Sequence, residues 1–160
     1  EALWESRNHT SIDTKGVETS LNIDIIRLIG EDQPINSLSL GYMYIDQSVD
    51  ESNLISNYRL NYLKHKFTAY LNHSVIKNLS ISWKFRWQER IGSYVKYIDL
   101  QPGELTNYTP FGLLDVKANY SIDKMNLFVN INNIFGTTHV DFGNIPQPGF
   151  WLSGGVSYEF

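Results

Sequence analysis

The densest group of residues able to hold a ligand is "WQERIGSYVKY", residues 87–97, with Trp87, Arg90, Tyr94 and Tyr97 close together. Aromatic rings supply contact area at little entropic cost, and a guanidinium supplies directional donors. This is binding chemistry, not bond-breaking chemistry. The competing reading is an aromatic girdle plus an arginine that pairs with a neighbouring strand. His139 and Asp141 stand two apart and share a side of an extended segment, so both could meet one ligand. A plain solvated loop is the simpler reading of both. The other histidines, His9, His65 and His73, have no HExxH spacing and no paired ligand spacing on one strand face. His65 and His73 are read as residues of a wet wall or a turn. Serines and acids are too scattered for a triad, and there is no cysteine. The expectation is no catalytic residue, no metal site, no cofactor and no enzyme.

The elements that must position these groups are strands. In "LSISWKFRWQER", residues 79–90, Leu79, Ile81, Trp83, Phe85 and Trp87 alternate with Ser80, Ser82, Lys84, Arg86, Gln88 and Arg90. Strand side chains alternate faces with a period of two, so this stretch separates two different media. The same alternation recurs in "GVETSLNIDI", "SLSLGYMYID", "HKFTAYLNH", "LLDVKANY", "NLFVNINN" and "FWLSGGVSYEF". That makes about seven strands, and no window has a helical period. Glu18, Asp24, Lys84, Arg86, Arg90, Asp115 and Lys117 all fall on the polar side, which must be wet.

The connections alternate in length. Residues 30–34, 73–78 and 121–125 are short turns, whereas residues 47–58, 91–112 and 135–149 are long. Short turns at one end and long loops at the other mark a transmembrane β-barrel, turns periplasmic and loops external. The chain has 160 residues, a net charge of −4 and 14% aromatics, so nothing favours nucleic acid. No apolar run approaches the ~20 residues of a membrane helix, and "EALWESRNHT" does not read as a signal peptide. The expected class is all-β, an antiparallel up-and-down barrel in the bacterial outer membrane. A soluble sandwich or lipocalin-like barrel, apolar side inward, is the alternative.

The ending "GGVSYEF" supplies Gly155, Tyr158 and Phe160, a glycine followed by alternating aromatics, which fits the terminal assembly signal of outer-membrane barrels. With it, "TKGVETSLNI", "HKFTAYLN…LSISWKFRWQERIGSY" and "NNIFGTTHVDFGNIPQPGFW" resemble the C-terminal barrel segment of TonB-dependent outer-membrane receptors. The paired late strands look like receptors of Bacteroidetes. The loop "GNIPQPGFW" looks more like the cobalamin-receptor branch than the siderophore branch. The resemblance implies that residues 1–160 form about the last seven strands of a barrel of about 22 strands. The plug domain and the coupling box would then lie N-terminal to this chain. It also implies import of a scarce nutrient such as cobalamin or an iron chelate. The implied partners are membrane lipid, the plug and earlier strands, the TonB complex, the barrel-assembly machinery and a surface lipoprotein. Two alternatives stay open. One is a self-contained barrel of about eight strands, residues 1–12 adding a strand, with a structural or adhesive role. The other is an outer-membrane hydrolase.

Overall fold

The computed structural model describes residues 11–30, 32–49 and 61–160. Its main body is one antiparallel sheet of seven strands. The chain runs through β1 (Ile12–Asp24), β2 (Ile35–Val49), β3 (Tyr62–Ile76) and β4 (Leu79–Ile91) as a meander. It then leaves for a hairpin, β5 (Ser93–Ile98) and β6 (Gln101–Asn107), before returning as β7 (Phe111–Ile122) and β8 (Met125–Asn132). A second excursion carries the two-residue strands β9 (His139–Val140) and β10 (Pro146–Gln147), and β11 (Trp151–Tyr158) closes the sheet. The order is β1-β2-β3-β4-β7-β8-β11, so both excursions begin and end between neighbours.

Register carries the apolar alternation from strand to strand without a break. Leu21 faces Leu40, which faces Ala69, which faces Phe85, which faces Leu114. Farther along, Val116 faces Ile131, which faces Leu152. The opposite face joins Ser39, Tyr70, Lys84 and Asp115 in the same way. Because a one-residue slip would turn every row over, these ladders fix which medium each side chain meets. The expected strand faces therefore hold.

The turns are tighter than expected. The segment 73–78 is mostly strand, and only Lys77 and Asn78 turn the chain, with Asn78 at φ 69°. Asp123, at φ 49°, does the same between β7 and β8. Asn and Asp tolerate the left-handed region because their short polar side chains bond locally. Between β1 and β2 the structure departs from an all-strand reading. Ile25–Ile29 forms a single helical turn, α1. The Asp24 carboxylate accepts from the Arg27 amide at 3.1 Å, and Gly30, at φ 101°, donates to the Ile26 carbonyl. An N-cap acid and a C-terminal glycine suffice for one turn, which is too short for a helical period. Residues 1–10 of the possible extra strand and residues 50–58 of the first long loop lie outside the described residues.

Little of this molecule is interior. Among the described residues the buried apolar side chains are Tyr108 and Leu113. The outer apolar row stays open, with Val17 58%, Leu152 60% and Val156 65% exposed. A soluble sandwich would cover that face with a second sheet. Here there is one layer, and the excursions fold over the polar face instead.

Two histidines occupy places the sequence did not indicate. His65 and His73 share parity with Phe67 and Leu71, so both lie on the outer apolar row and not on the wet wall. The His65 ring sits 5.0 Å from Tyr44 and 6.4 Å from Trp87, and its Nδ1 is 2.8 Å from the Tyr42 hydroxyl. His73 stacks on Trp83 at 6.4 Å and 10°. An imidazole with aromatic neighbours behaves as an amphipathic ring at the rim of an apolar band, so its polarity alone does not assign it to water.

Candidate functional site

The site lies at the end of the sheet where the two excursions meet. β4 brings Gln88 and Arg90 there on the polar face, and Gly92, at φ 117°, redirects the chain into β5. From the other side, the segment after β8 folds back over the sheet. Its root is Asn133, which is buried and held at φ 50°. Its amide donates to Asp115 Oδ1 at 2.8 Å, and its side chain exchanges hydrogen bonds of 2.9 Å with the backbone of Thr137. One residue thus anchors the start of the segment through its backbone N–H and its direction through its side chain.

The fold-back continues through Asp141. Its carboxylate accepts from Gln88 Nε2 and lies 3.5 Å from an Arg90 terminal nitrogen. The Arg90 guanidinium stands between the Tyr108 and Phe142 rings, at 5.8 Å and 5.6 Å. The Gly143 amide donates to the Tyr108 hydroxyl at 2.9 Å. His139, also buried, lies 4.3 Å from the Phe111 ring and donates from Nδ1 to the Thr137 carbonyl at 3.1 Å. The Arg90–Asp141 pair is half-buried, and the rings and the hydrogen-bonded glutamine beside it hold its geometry.

Beside this latch a cleft of about 470 Å³ opens between the β5–β6 hairpin and residues 138–146. Tyr94, Lys96, Tyr97, Phe111, His139 and Asn144 line it. Rings on several sides with one cation and one amide suit a partly apolar ligand bearing oxygen acceptors. Among the described residues no group of His, Asp and Glu is arranged to hold a metal ion.

The residues expected from sequence fall into three places. Tyr94, Tyr97 and His139 come together in the cleft. Arg90 and Asp141 pair with each other beside it, which occupies both charges. Trp87 is separated from them, on the outer row opposite Phe67. Phe111, Tyr108, Phe142, Lys96 and Gln88 were not anticipated. For Phe111 a signal existed, because Phe111 and Leu113 put apolar side chains on the parity of the polar row.

Residues 4–134 match the family model described as TonB dependent receptor-like, beta-barrel. The chain belongs to that family. No curated protein matches it in sequence. Among solved structures it is similar to the FrpB iron transporter from Neisseria meningitidis (F3-3 variant), at a TM-score of 0.62 and 21% identity. The similarity covers 93% of this chain and 24% of that one, so the chain spans about a quarter of that transporter's length. At this identity the likeness concerns the fold. Receptor barrels of this family lie in the outer membrane. The uncovered outer row therefore faces lipid, and the polar row faces the barrel lumen. Between Val17 and Ile23 on β1, and between Leu79 and Trp87 on β4, that outer row carries no charge, as hydrocarbon requires.

Proposed function

We propose that this chain is the closing part of an energised outer-membrane importer for a scarce nutrient such as cobalamin or an iron chelate. One observation carries the reading: an apolar face with no cover lies opposite a polar wall whose mouth is roofed by its own loops. In this reading the aromatic cleft lies where a ligand from outside first meets the receptor. In this reading residues 1–160 are the C-terminal strands, the short turns at Lys77–Asn78 and Asp123–Lys124 are periplasmic, and the hairpin and residues 135–149 are external. A plug and a coupling box precede the chain and link it to the TonB complex. The barrel-assembly machinery inserts it, and a surface lipoprotein caps its mouth.

The look of the "GNIPQPGFW" loop favours the cobalamin branch, while the FrpB likeness leans toward iron. The experiment is uptake by cells carrying the full-length receptor, given radiolabelled cyanocobalamin or a radiolabelled ferric chelate. Import of one of them that stops when the proton-motive force is dissipated supports the proposal. Uptake of neither, or uptake indifferent to that force, overturns it. Refolding of residues 1–160 alone into a heat-modifiable monomer would favour a self-contained barrel.

A further inference from the structure

Three connections turn the chain at the end of the sheet opposite the excursions, and two of them are polar, Lys77–Asn78 and Asp123–Lys124. The third is not. α1 consists of Ile25, Ile26, Leu28 and Ile29 around a single charge, Arg27. Leu28 and Ile29 are 70% and 64% exposed. The turn itself does not need these side chains, because its closing bonds come from Asp24 and Gly30.

The direction of the apolar face is fixed from two sides. Ile25 follows Leu21 and Ile23 at the end of the outer row of β1. On a helical turn, residues three and four apart share a face, so Leu28 and Ile29 lie on the side of Ile25. Arg27 lies on the other side, where its Nε stands 3.5 Å from Asp24 Oδ2, and Asp24 faces Ser37 on the polar row. The turn is therefore amphipathic in the same sense as the sheet. The outer row beside it is apolar as well: Ile35 faces His73, and Ile76, 62% exposed, faces Leu79. The stacked rings of His73 and Trp83 on that row are of the kind that settle at the edge of hydrocarbon. α1 lies against β2 here, and beyond Gly30 the exposed Asp32 and Gln33 lead the chain back to water.

The size of the face decides what covers it. Five helical residues rise roughly 7.5 Å. A stable protein contact takes roughly 800 Å² from each partner, far more than one turn presents. Lipid asks only for continuity with surface it already wets, and the outer row supplies that.

We propose that α1 is an interfacial membrane anchor. Ile25, Leu28 and Ile29 enter the periplasmic leaflet where acyl chains meet headgroups, and Arg27 turns back toward the lumen side. The choice of leaflet rests on the importer reading, which puts this end of the sheet in the periplasm. The immersion rests on the apolar face alone.

Spin labelling of the full-length receptor in phospholipid vesicles tests this. The variants Arg27→Cys, Leu28→Cys, Ile29→Cys, Lys77→Cys and Val129→Cys, in a background with no other cysteine, each carry one nitroxide. Its collisions with oxygen, which concentrates in lipid, are compared with those of a water-soluble nickel complex. At Leu28 and Ile29 oxygen should exceed nickel, as at Val129 on the outer row, and the ratio should invert at Arg27 and Lys77. A water-like ratio at Leu28 and Ile29 overturns the anchor. Protection from both reagents overturns it too, because a protein surface then covers the face. The side is read separately. A bulky maleimide polymer should miss Arg27→Cys on intact cells and reach it once the outer membrane is permeabilised. Labelling of intact cells would defeat the orientation in the importer reading, and the leaflet with it, while a lipid-like ratio at Leu28 and Ile29 would still uphold the anchor.

Discussion

Gly155 was expected to belong to a terminal assembly signal, and its surroundings offer a different reason for glycine. On the lumen face it lies opposite Phe128. A Cβ added there would stand 2.6 Å from Phe128 Cζ and 2.8 Å from Cε1, well inside van der Waals contact. The β7–β8 ladder fixes the root of the ring, and Lys117 lies 5.5 Å over it, so making room means turning the ring from its place. Gly155→Ala should therefore behave as overpacking, at about 1–3 kcal/mol. Alanine's better fit to an extended backbone returns about 0.5–1 kcal/mol, which leaves a net loss of about 1–2 kcal/mol. Removing the ring should remove the penalty. In the Phe128→Ala background Gly155→Ala should be neutral or stabilising, with a coupling of about 1–3 kcal/mol between the sites. The assay is urea unfolding of the full-length receptor in lipid vesicles, followed by the heat-modifiable band, for the wild type and the three variants. A Gly155→Ala loss that is the same with and without the Phe128 ring would refute the argument, and the glycine would then be needed by backbone or assembly factor.

Arg placed at Ile81, Phe85 or Val129 should block insertion at a cost of roughly 2–4 kcal/mol near the midplane. Arg at Ser82 or Asn130 should be tolerated, and equal yields at both sets would contradict the assigned faces. Deleting Phe160, or changing both Tyr158 and Phe160 to Ser, should cut the folded yield sharply. Phe160 is fully exposed at 107%, and its ring meets only the Tyr158 edge, at 5.3 Å. An unchanged membrane-extracted fraction would remove it from the assembly signal. Asp141→Ala should free the fold-back segment by breaking its bonds to Gln88 and Arg90, at about 1–3 kcal/mol. Protease added to intact cells should then cut between residues 135 and 149 faster than in the wild type, with barrel yield unchanged.

The wall was legible because its rule is local. From Leu79 to Gln88 apolar and polar side chains alternate as parity assigns, and the ladders repeat that assignment across the sheet. The mouth was legible only in its ingredients. Arg90 and Asp141 each looked fit for a ligand, yet their partnership spans the β5–β6 hairpin and three further strands, and no short pattern encodes it. Trp87 misled for the opposite reason: it is near Arg90 in sequence, and a strand turns such neighbours apart. His65 and His73 were assigned by polarity when parity was the better guide. Phe128 and Leu113 were overlooked as breaks in the polar row, and Leu113 marks a place where the fold-back segment lies against the wall.

The two excursions leave and return between strands that are already partners, β4 with β7 and β8 with β11. The hydrogen-bonded fabric is therefore complete without them. Each can be lengthened, shortened or exchanged at little expense to the weave, provided a few rivets survive: Asn133 to Asp115 at one root, and Gln88 to Asp141 across the top. In the importer reading, selection can thus redraft what the receptor meets outside the cell while the lattice below is inherited intact. A graft of residues 93–107 from a relative with another appetite should keep the barrel and change its diet.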